Sequence, residues 1–171
     1  MTRARPTAGV RLEPVTADTW ETVEQLAQLE RHDMSEFLGH LPSDDGSFDI
    51  PWLDDVLSAP DNTADLIRVG GVLVGYCLTR PLDDGGRSIV SFFVVRARRR
   101  SGVGHAAAVQ LLRRHGGRWG IAFQESNSGA VRFWRDVAET VAPGAWAEER
   151  RGSRDEEQVE SWIFLDAGEA G

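Results

Sequence analysis

The chain has 171 residues, of which 41% are hydrophobic and 27% are charged, and its formal net charge is −8. These values are typical of one globular domain with one sizeable core, and no apolar stretch approaches the roughly 20 residues that a membrane span needs. The first residues lack the apolar region of a secretory signal. The one cysteine, Cys77, cannot form an internal disulfide, so we expect a cytosolic protein.

Hydrophobic spacing and turn residues predict eleven helices and strands. In chain order they are a strand at 10–15, a helix at about 17–31, a helix from near Pro51, a strand hairpin turning at Gly70-Gly71, a strand at 88–97, a helix at 102–115, a strand at 118–126, a helix at 127–141, and strands at 145–150 and 158–166.

The sequence also predicts one more short helix and one charged loop. HDMSEF, residues 32–37, predicts a separate short helix, and EERRGSRDEEQ predicts a charged hairpin loop. Early hairpins followed by a βαβ unit indicate an α/β (α+β) fold with a mixed sheet. We expect a single domain at 10–171 behind a flexible N-terminal arm at 1–9.

One basic segment interrupts this acidic chain. Between Gly85 and Gln124 there are eight arginines and no acidic residue, so the rest of the chain carries 27 acids against 11 bases. Every one of the 19 basic residues is arginine, which is typical of a G+C-rich bacterial genome. At the centre of the segment, RRRSGVGHAAAVQLL (98–112) places three arginines before a glycine-rich turn and a helix.

This stretch allows three interpretations: a nucleic-acid patch, an anion cradle or a solvated loop. Free N–H groups at a helix N-terminus, beside glycines that permit close approach, favour the anion cradle. The acidic remainder of the chain disfavours binding to nucleic acid. The pattern is neither a Walker loop nor the dinucleotide fingerprint, since Ala107 stands where the third glycine would be. The four histidines show no metal-ligand spacing, and no Gly-x-Ser-x-Gly elbow is present.

VVRARRRSGVGHAAAVQLL resembles the acetyl-CoA signature of GCN5-related N-acetyltransferases (GNAT), Arg/Gln-x-x-Gly-x-Gly/Ala, with Arg99, Gly102 and Gly104 in its fixed places. A second landmark of that family, an Asn and an Ala followed by an aromatic pair, is matched in register by NSGAVRFW at 127–134. The resemblance covers roughly residues 10 to 165. It implies the GNAT acyl-CoA N-acyltransferase fold, a mixed central sheet flanked by helices and splayed at the cofactor site.

The resemblance also implies where acetyl-CoA binds. Backbone groups of Phe93 and Val95 would pair with the pantetheine amides, and Asn127 would hydrogen-bond the cofactor through its side-chain amide. N–H groups from Arg100 to His105 would hold the pyrophosphate, and no metal is expected. The expected cofactor-binding residues are Phe93, Val94, Val95, Arg99, Arg100, Ser101, Gly102, Val103, Gly104, His105, Asn127, Ala130 and Trp134.

The two residues that usually carry catalysis in this family are replaced in this chain. Many members of the family carry a Glu on the strand before the glycine-rich turn as general base, and a Tyr in the last helix as general acid; this chain has Ser91 and Trp134 there. A water chain with catalysis by positioning stays open, and so does a base from the acceptor side. The candidate catalytic residues are Asp33, Glu36, Ser91 and Glu125, with His32 beside the first two. The residues expected to form an aromatic acceptor pocket are Phe37, Trp52 and Trp134.

The sequence therefore predicts a cytoplasmic, acetyl-CoA-dependent N-acetyltransferase. It would act by direct transfer in a ternary complex, onto a primary amine of a small molecule or peptide. We expect a monomer or homodimer with no nucleic-acid or membrane partner. Because the usual Glu and Tyr are missing, a catalytically silent CoA-binding sensor or partner module of the same fold is the alternative.

Overall fold

The computed structural model describes residues 9–152 and 159–171 of the chain. Within these residues the strands are β1 (Val10–Pro14), β2 (Thr63–Val69), β3 (Val72–Pro81), β4 (Arg87–Val94), β5 (Arg118–Gln124), β6 (Trp146–Gly152) and β7 (Val159–Asp166). The helices are α1 (Trp20–Leu38), α2 (Leu53–Ser58), α3 (Val103–His115) and α4 (Ser128–Val141). The expected N-terminal arm, apart from Gly9, and residues 153–158 of the expected charged loop lie outside the described residues, and residues 148–152 of that loop belong to β6.

The described strands form one mixed sheet in the order β1-β2-β3-β4-β5-β7-β6. Each neighbouring pair is antiparallel except β4 and β5, which are parallel and joined through α3. This arrangement confirms the predicted element order and the mixed α/β fold. The parallel pair lies at the centre of the sheet, so its geometry determines what the middle of the protein can bind.

Two hydrophobic clusters hold the helices on the sheet. The larger one joins α3 and α4 to the strands and includes Val103, Ala107, Leu111, Trp134 and Val137. The smaller one joins α1 and α2 to the strands, and its members are Val23, Leu26, Ala27, Leu53, Leu66, Tyr76, Leu78 and Phe93. The sheet is therefore flanked by helices, as the sequence predicts.

The first helix differs from its prediction. Residues 32–37 form no separate helix, because α1 runs without interruption to Leu38 and ends where Gly39 adopts a left-handed conformation, with φ +69°. Gly39 N–H then donates to the Ser35 carbonyl at 2.9 Å, a common way to end a helix. No glycine or proline between Arg31 and Leu38 interrupts the helix. The extra two turns place more side chains of α1 beside the central strands.

The predicted hairpin turn between β2 and β3 is confirmed. Val69 pairs with Val72, and the two intervening glycines both have positive φ, +58° at Gly70 and +83° at Gly71. A two-residue hairpin loop of the primed type requires this backbone conformation at both positions, which glycine adopts at the lowest cost. The turn sets the register as far as Arg68 opposite Leu73, beyond which a bulge at Val74 shifts it by one residue.

Candidate functional site

The central sheet opens between β4 and β5. The two strands pair only at Arg87 with Trp119 and at Ser88 with Gly120. Just beyond this point the register of β4 against β3 shifts by one residue, which leaves Val90 as an extra residue in β4. A bulge bends its strand and increases the local twist. Past the bulge β4 stays with β3 and diverges from β5, so a gap opens in the middle of the sheet.

The glycine-rich turn follows at the end of β4. Arg100 and Gly102 both have positive φ, +55° and +85°, and Ala106 N–H is the first to bond back along α3, to the Gly102 carbonyl at 3.0 Å. The N–H groups of residues 103–105 therefore have no helical partner. Left-handed residues before a helix N-terminus direct such donors toward one point, and this forms a site for an anion.

A cavity of about 530 Å³, here called the turn cavity, lies beside this turn. Ten of the thirteen expected cofactor-binding residues line it: Phe93, Val94, Arg99, Arg100, Gly102, Gly104, His105, Asn127, Ala130 and Trp134. Val95, Ser101 and Val103 do not line it, and the Val103 side chain packs into the larger core. Arg99 is positioned by a hydrogen bond from its Nε to the Val94 carbonyl at 2.7 Å.

The backbone groups of β4 that face the gap differ from those expected. Val95 N–H donates to the Val74 carbonyl of β3 at 2.9 Å, and the Phe93 carbonyl lies against Gly75 of β3. These groups are therefore not available to pantetheine, which corrects the expectation for Phe93 and Val95. Because backbone groups alternate in direction along a strand, those of Phe92 and Val94 face the gap instead.

The second motif forms the opposite wall of the gap. Asn127 caps α4, with its Oδ1 accepting from Ala130 N–H at 3.0 Å, so its side-chain NH₂ is left for a ligand. Trp134 is almost buried, and the centroid of its ring lies 5.4 Å from that of Phe92 and 4.7 Å from that of Phe133. No described residue accepts from the indole N–H, and no unpartnered polar atom is fully buried in the described residues. That N–H therefore reaches the surface of the gap.

A model of the acetyltransferase (GNAT) family matches residues 23–137, about two thirds of the chain, and includes both motifs. The chain belongs to the GNAT acetyltransferase family. A comparison with curated protein sequences finds no match. The family uses acetyl-CoA as the acetyl donor, which fits the anion-binding turn and the gap in the sheet.

Solved GNAT structures share the fold along almost the whole chain. Spermidine N-acetyltransferase from Vibrio cholerae, in complex with CoA and spermine, aligns over 94% of this chain and 96% of its own with a TM-score of 0.69 and 9% identity. An acetyltransferase from Thermus thermophilus aligns over 94% and 98% with a TM-score of 0.66 and 16% identity. The ribosomal-protein-S18-alanine N-acetyltransferase from Escherichia coli aligns over 95% and 96% with a TM-score of 0.60 and 12% identity. At these identities the likeness concerns the GNAT fold and not the acceptor.

A second cavity of this GNAT domain, here called the sheet cavity, has about the same volume, 530 Å³. It extends from the gap toward α2 and β7, and Trp52, Arg80, Glu160 and Trp162 are among its lining residues. The sheet and turn cavities meet in the gap, where the residues that line both are Glu30, Met34, Phe92, Asn127, Ala130 and Trp134. Of the expected aromatic pocket, Trp52 lines the sheet cavity, Phe37 the turn cavity and Trp134 both.

A cluster of three oxygen-bearing side chains lies where the cavities meet. Ser91 Oγ and Tyr76 Oη both donate to Oε2 of Glu30, and the two hydroxyl oxygens are 2.8 Å apart. Withdrawal from water raises the pKa of Glu30 above its usual 4.5, against the hydrogen bonds from Ser91 and Tyr76. The same burial, together with the nearby Glu30, raises the pKa of Tyr76. The sequence prediction included Ser91 but missed both of its partners.

The other candidate carboxylates have different surroundings. Burial alone would raise the pKa of Asp33, but hydrogen bonds from Arg96 and Arg99 outweigh it and lower the pKa, which makes this carboxylate a poor base. Glu125 lines neither cavity; it accepts from Ser161 Oγ at 2.9 Å and from Arg150, and these bonds lower its pKa. The structure therefore does not support Asp33 or Glu125 as the base. Glu36 lines the turn cavity only, and the exposed His32 lines neither.

Among residues 9–152 and 159–171, no three or more His, Cys, Asp and Glu side chains are grouped so that they could hold a metal ion. No helix in the same part of the chain is long and apolar enough to cross a membrane.

Proposed function

We propose that this GNAT protein transfers the acetyl group of acetyl-CoA directly to a primary amine of a small molecule or peptide. One observation carries the proposal: two cavities enter the same gap in the sheet from different sides and meet beside Glu30 and Trp134. A thioester entering through the turn cavity and an amine entering through the sheet cavity would meet there. Direct transfer in a ternary complex requires such a junction, because both substrates must be present together.

The turn cavity suits acetyl-CoA in charge and in shape. The free N–H groups of the first turn of α3 and the Arg99 and Arg100 side chains would hold the pyrophosphate. The N–H and carbonyl of Phe92 and the N–H of Val94 would pair with the pantetheine arm, as a strand edge pairs with an extended peptide, while the Val94 carbonyl accepts from Arg99. The side-chain NH₂ of Asn127 would donate to the same arm from the opposite wall.

Cofactor binding can be tested by thermal shift with a matched pair of variants. A Cβ at position 104 would be 3.4 Å from Phe133 Cε2 and 3.7 Å from Val94 Cγ2, which are ordinary contacts, so Gly104→Ala should still bind. Gly104→Trp should fill the cavity and abolish the shift. Acetyl-CoA at 100 times its Kd should stabilise the wild type by about 2.7 kcal/mol. No shift with millimolar acetyl-CoA, or an equal shift with Gly104→Trp, would contradict the proposed cofactor site.

Turnover can be tested by the release of free CoA thiol with a panel of primary amines, including polyamines, amino acids and short peptides. We expect release that depends on the amine and on the wild-type turn. If acetyl-CoA binds but no amine is acetylated, the transferase proposal fails and the CoA-binding sensor of the same fold replaces it.

A further inference from the structure

Glu30 occupies a distinctive place in the gap. Of the six residues that line both cavities, it is the one with an acidic side chain, and the other five carry no ionisable group. It reaches the gap from α1, whereas Tyr76 and Ser91 reach it from β3 and β4. Three separate elements of the fold thus place their polar side chains at one point between an apolar core and the cavities.

The cluster is one proton short of a complete set of hydrogen bonds when Glu30 is ionised. Three oxygen atoms, Oε2 of Glu30, Oη of Tyr76 and Oγ of Ser91, are in mutual contact. With Glu30 ionised, the two hydroxyls supply two protons for three oxygen–oxygen contacts, so one contact has no hydrogen. A proton taken up by the carboxyl group supplies the missing donor, and each oxygen can then donate to the next. Oε1 accepts no hydrogen bond from the described residues, so it is free to approach a substrate.

We propose that Glu30 is the proton acceptor for the amine in the acetyl transfer and that Ser91 and Tyr76 are positioning residues that hold its carboxylate. This inference rests on the proposed function. Glu30 is half-buried and lines the sheet cavity, from which the amine would arrive. Neither Asp33, which is engaged by two arginines, nor Glu125, which lies outside both cavities, offers an equivalent group.

The chemical step balances without a further reactant. An ammonium group of the acceptor gives one proton to the Glu30 carboxylate, and the neutral nitrogen attacks the thioester carbonyl carbon. The C–N bond forms and the C–S bond breaks. A second proton passes from the nitrogen to the departing thiolate, and the third remains on the amide. The products are the acetylated amine, CoA thiol and protonated Glu30, which returns its proton to water.

The raised pKa of Glu30 supports this role, because a base whose pKa lies nearer to the operating pH accepts a proton more readily. The charges on its own helix act in both directions, since Arg31 lowers this pKa and Asp33 raises it. Other titratable groups face Glu30 across the two cavities, and they are Tyr76, Arg80 and Glu160 on one side and Glu36, Arg96, Arg99, Arg100 and His105 on the other.

Glu30→Gln is the main test, with the best amine of the panel as acceptor and CoA thiol release followed between pH 5 and 10. We expect kcat/KM to fall about 10² to 10⁴-fold, the acid limb of its pH profile to disappear, and the thermal shift with acetyl-CoA to remain. Glu24→Gln is the matched control, because it makes the same change on the same helix outside both cavities. It should leave the rate and the pH profile as in the wild type.

Ser91→Ala and Tyr76→Phe test the positioning roles separately. Each removes a donor to the carboxylate, so the pKa of Glu30 should rise and the acid limb should move to higher pH. A loss of packing alone would instead lower the rate equally at every pH. An acid limb that persists in Glu30→Gln with near wild-type turnover overturns the inference and leaves the transferase function intact. A wild type that binds acetyl-CoA but acetylates no amine overturns both.

Discussion

Replacing Gly75 by alanine would force β4 away from β3 along the edge of the turn cavity. Gly75 lies in the middle of β3, opposite Val94. A Cβ there would lie directly against the Phe93 carbonyl oxygen, closer than any real Cβ contact, and 3.1 Å from Val94 Cα. All these atoms belong to the backbone, so no side-chain rotation can relieve the clash and β4 itself must move.

The size of the effect follows from that rigidity. Overpacking a core costs about 1–3 kcal/mol, and a backbone clash at a central strand pair belongs at the upper end, at about 3 kcal/mol. For a domain of this size, each 1 kcal/mol lowers Tm by about 2–4 °C. We therefore expect Gly75→Ala to melt roughly 6–12 °C below the wild type. Since β4 lines the turn cavity, the affinity of the Gly75→Ala variant for acetyl-CoA should also fall.

Gly120→Ala is a suitable control, because Gly120 is also a buried glycine in a central strand. Its Cβ would be 3.1 Å from Phe164 Cε1, 3.3 Å from Leu82 Cδ1 and 3.4 Å from Trp162 Cζ3, and these side-chain atoms can yield by a few tenths of an ångström. We expect a cost of about 1 kcal/mol, measured by thermal unfolding with and without acetyl-CoA. Equal losses in the two variants, or a Tm for Gly75→Ala within about 2 °C of the wild type, would refute this reasoning.

Variants of Arg114, Asp33 and Glu30 test what these ionisable groups contribute to stability and to binding. Arg114→Ala should lower the free energy of unfolding, measured in urea, by about 3–5 kcal/mol. Asp65 is 2% exposed and its Oδ1 accepts from Arg114 Nη1 at 2.9 Å, so the variant leaves a buried carboxylate without this partner. The double variant with Asp65→Ala should lose less free energy of unfolding than the sum of the two single losses. Asp33→Asn removes a negative charge beside Arg99 at the expected phosphate site, so the Kd for acetyl-CoA should fall roughly 1.5 to 5-fold in low salt. This gain in affinity should shrink at high ionic strength. Because the pKa of Glu30 is raised in the folded protein, its protonated form favours folding, and the wild type loses stability as the pH rises through that pKa. The Tm of Glu30→Gln should therefore lie above that of the wild type at pH 8 and equal it below about pH 4.5. A Tm for Glu30→Gln below that of the wild type at pH 8 would contradict this prediction.

The turn cavity, the proposed cofactor half of the site, could be predicted because its signals are local in sequence. Arg99, Gly102 and Gly104 lie within six residues, and the Asn127 cap bonds only three residues ahead. The predicted parallel pair with α3 between its strands also places both motifs on the same gap. The direction of the β4 backbone groups could not be predicted, since the bulge at Val90 sets their alternation and leaves no clear mark in the sequence.

Glu30 was missed because its partners are distant in sequence. It contacts Tyr76 and Ser91, which lie 46 and 61 residues further along the chain. One local signal was nevertheless present. Val23, Ala27 and Glu30 have the i, i+4, i+7 spacing of a buried helix face, so a carboxylate stood on the apolar stripe. Leu29, an apolar residue of the same helix, lies off that stripe and is 52% exposed.

The two halves of the site also depend on different parts of the core. Val103 anchors the glycine-rich turn in the larger cluster, and Trp134 is itself a member of that cluster. Tyr76 belongs to the smaller cluster, which also holds α1 and therefore Glu30 in place. A truncation in one cluster removes contacts first from the side chains packed around it. Truncations in the smaller cluster away from Phe93, which lines the turn cavity and whose ring centroid lies 5.5 Å from Arg99 Cζ, should therefore lower the rate of transfer more than the affinity for acetyl-CoA.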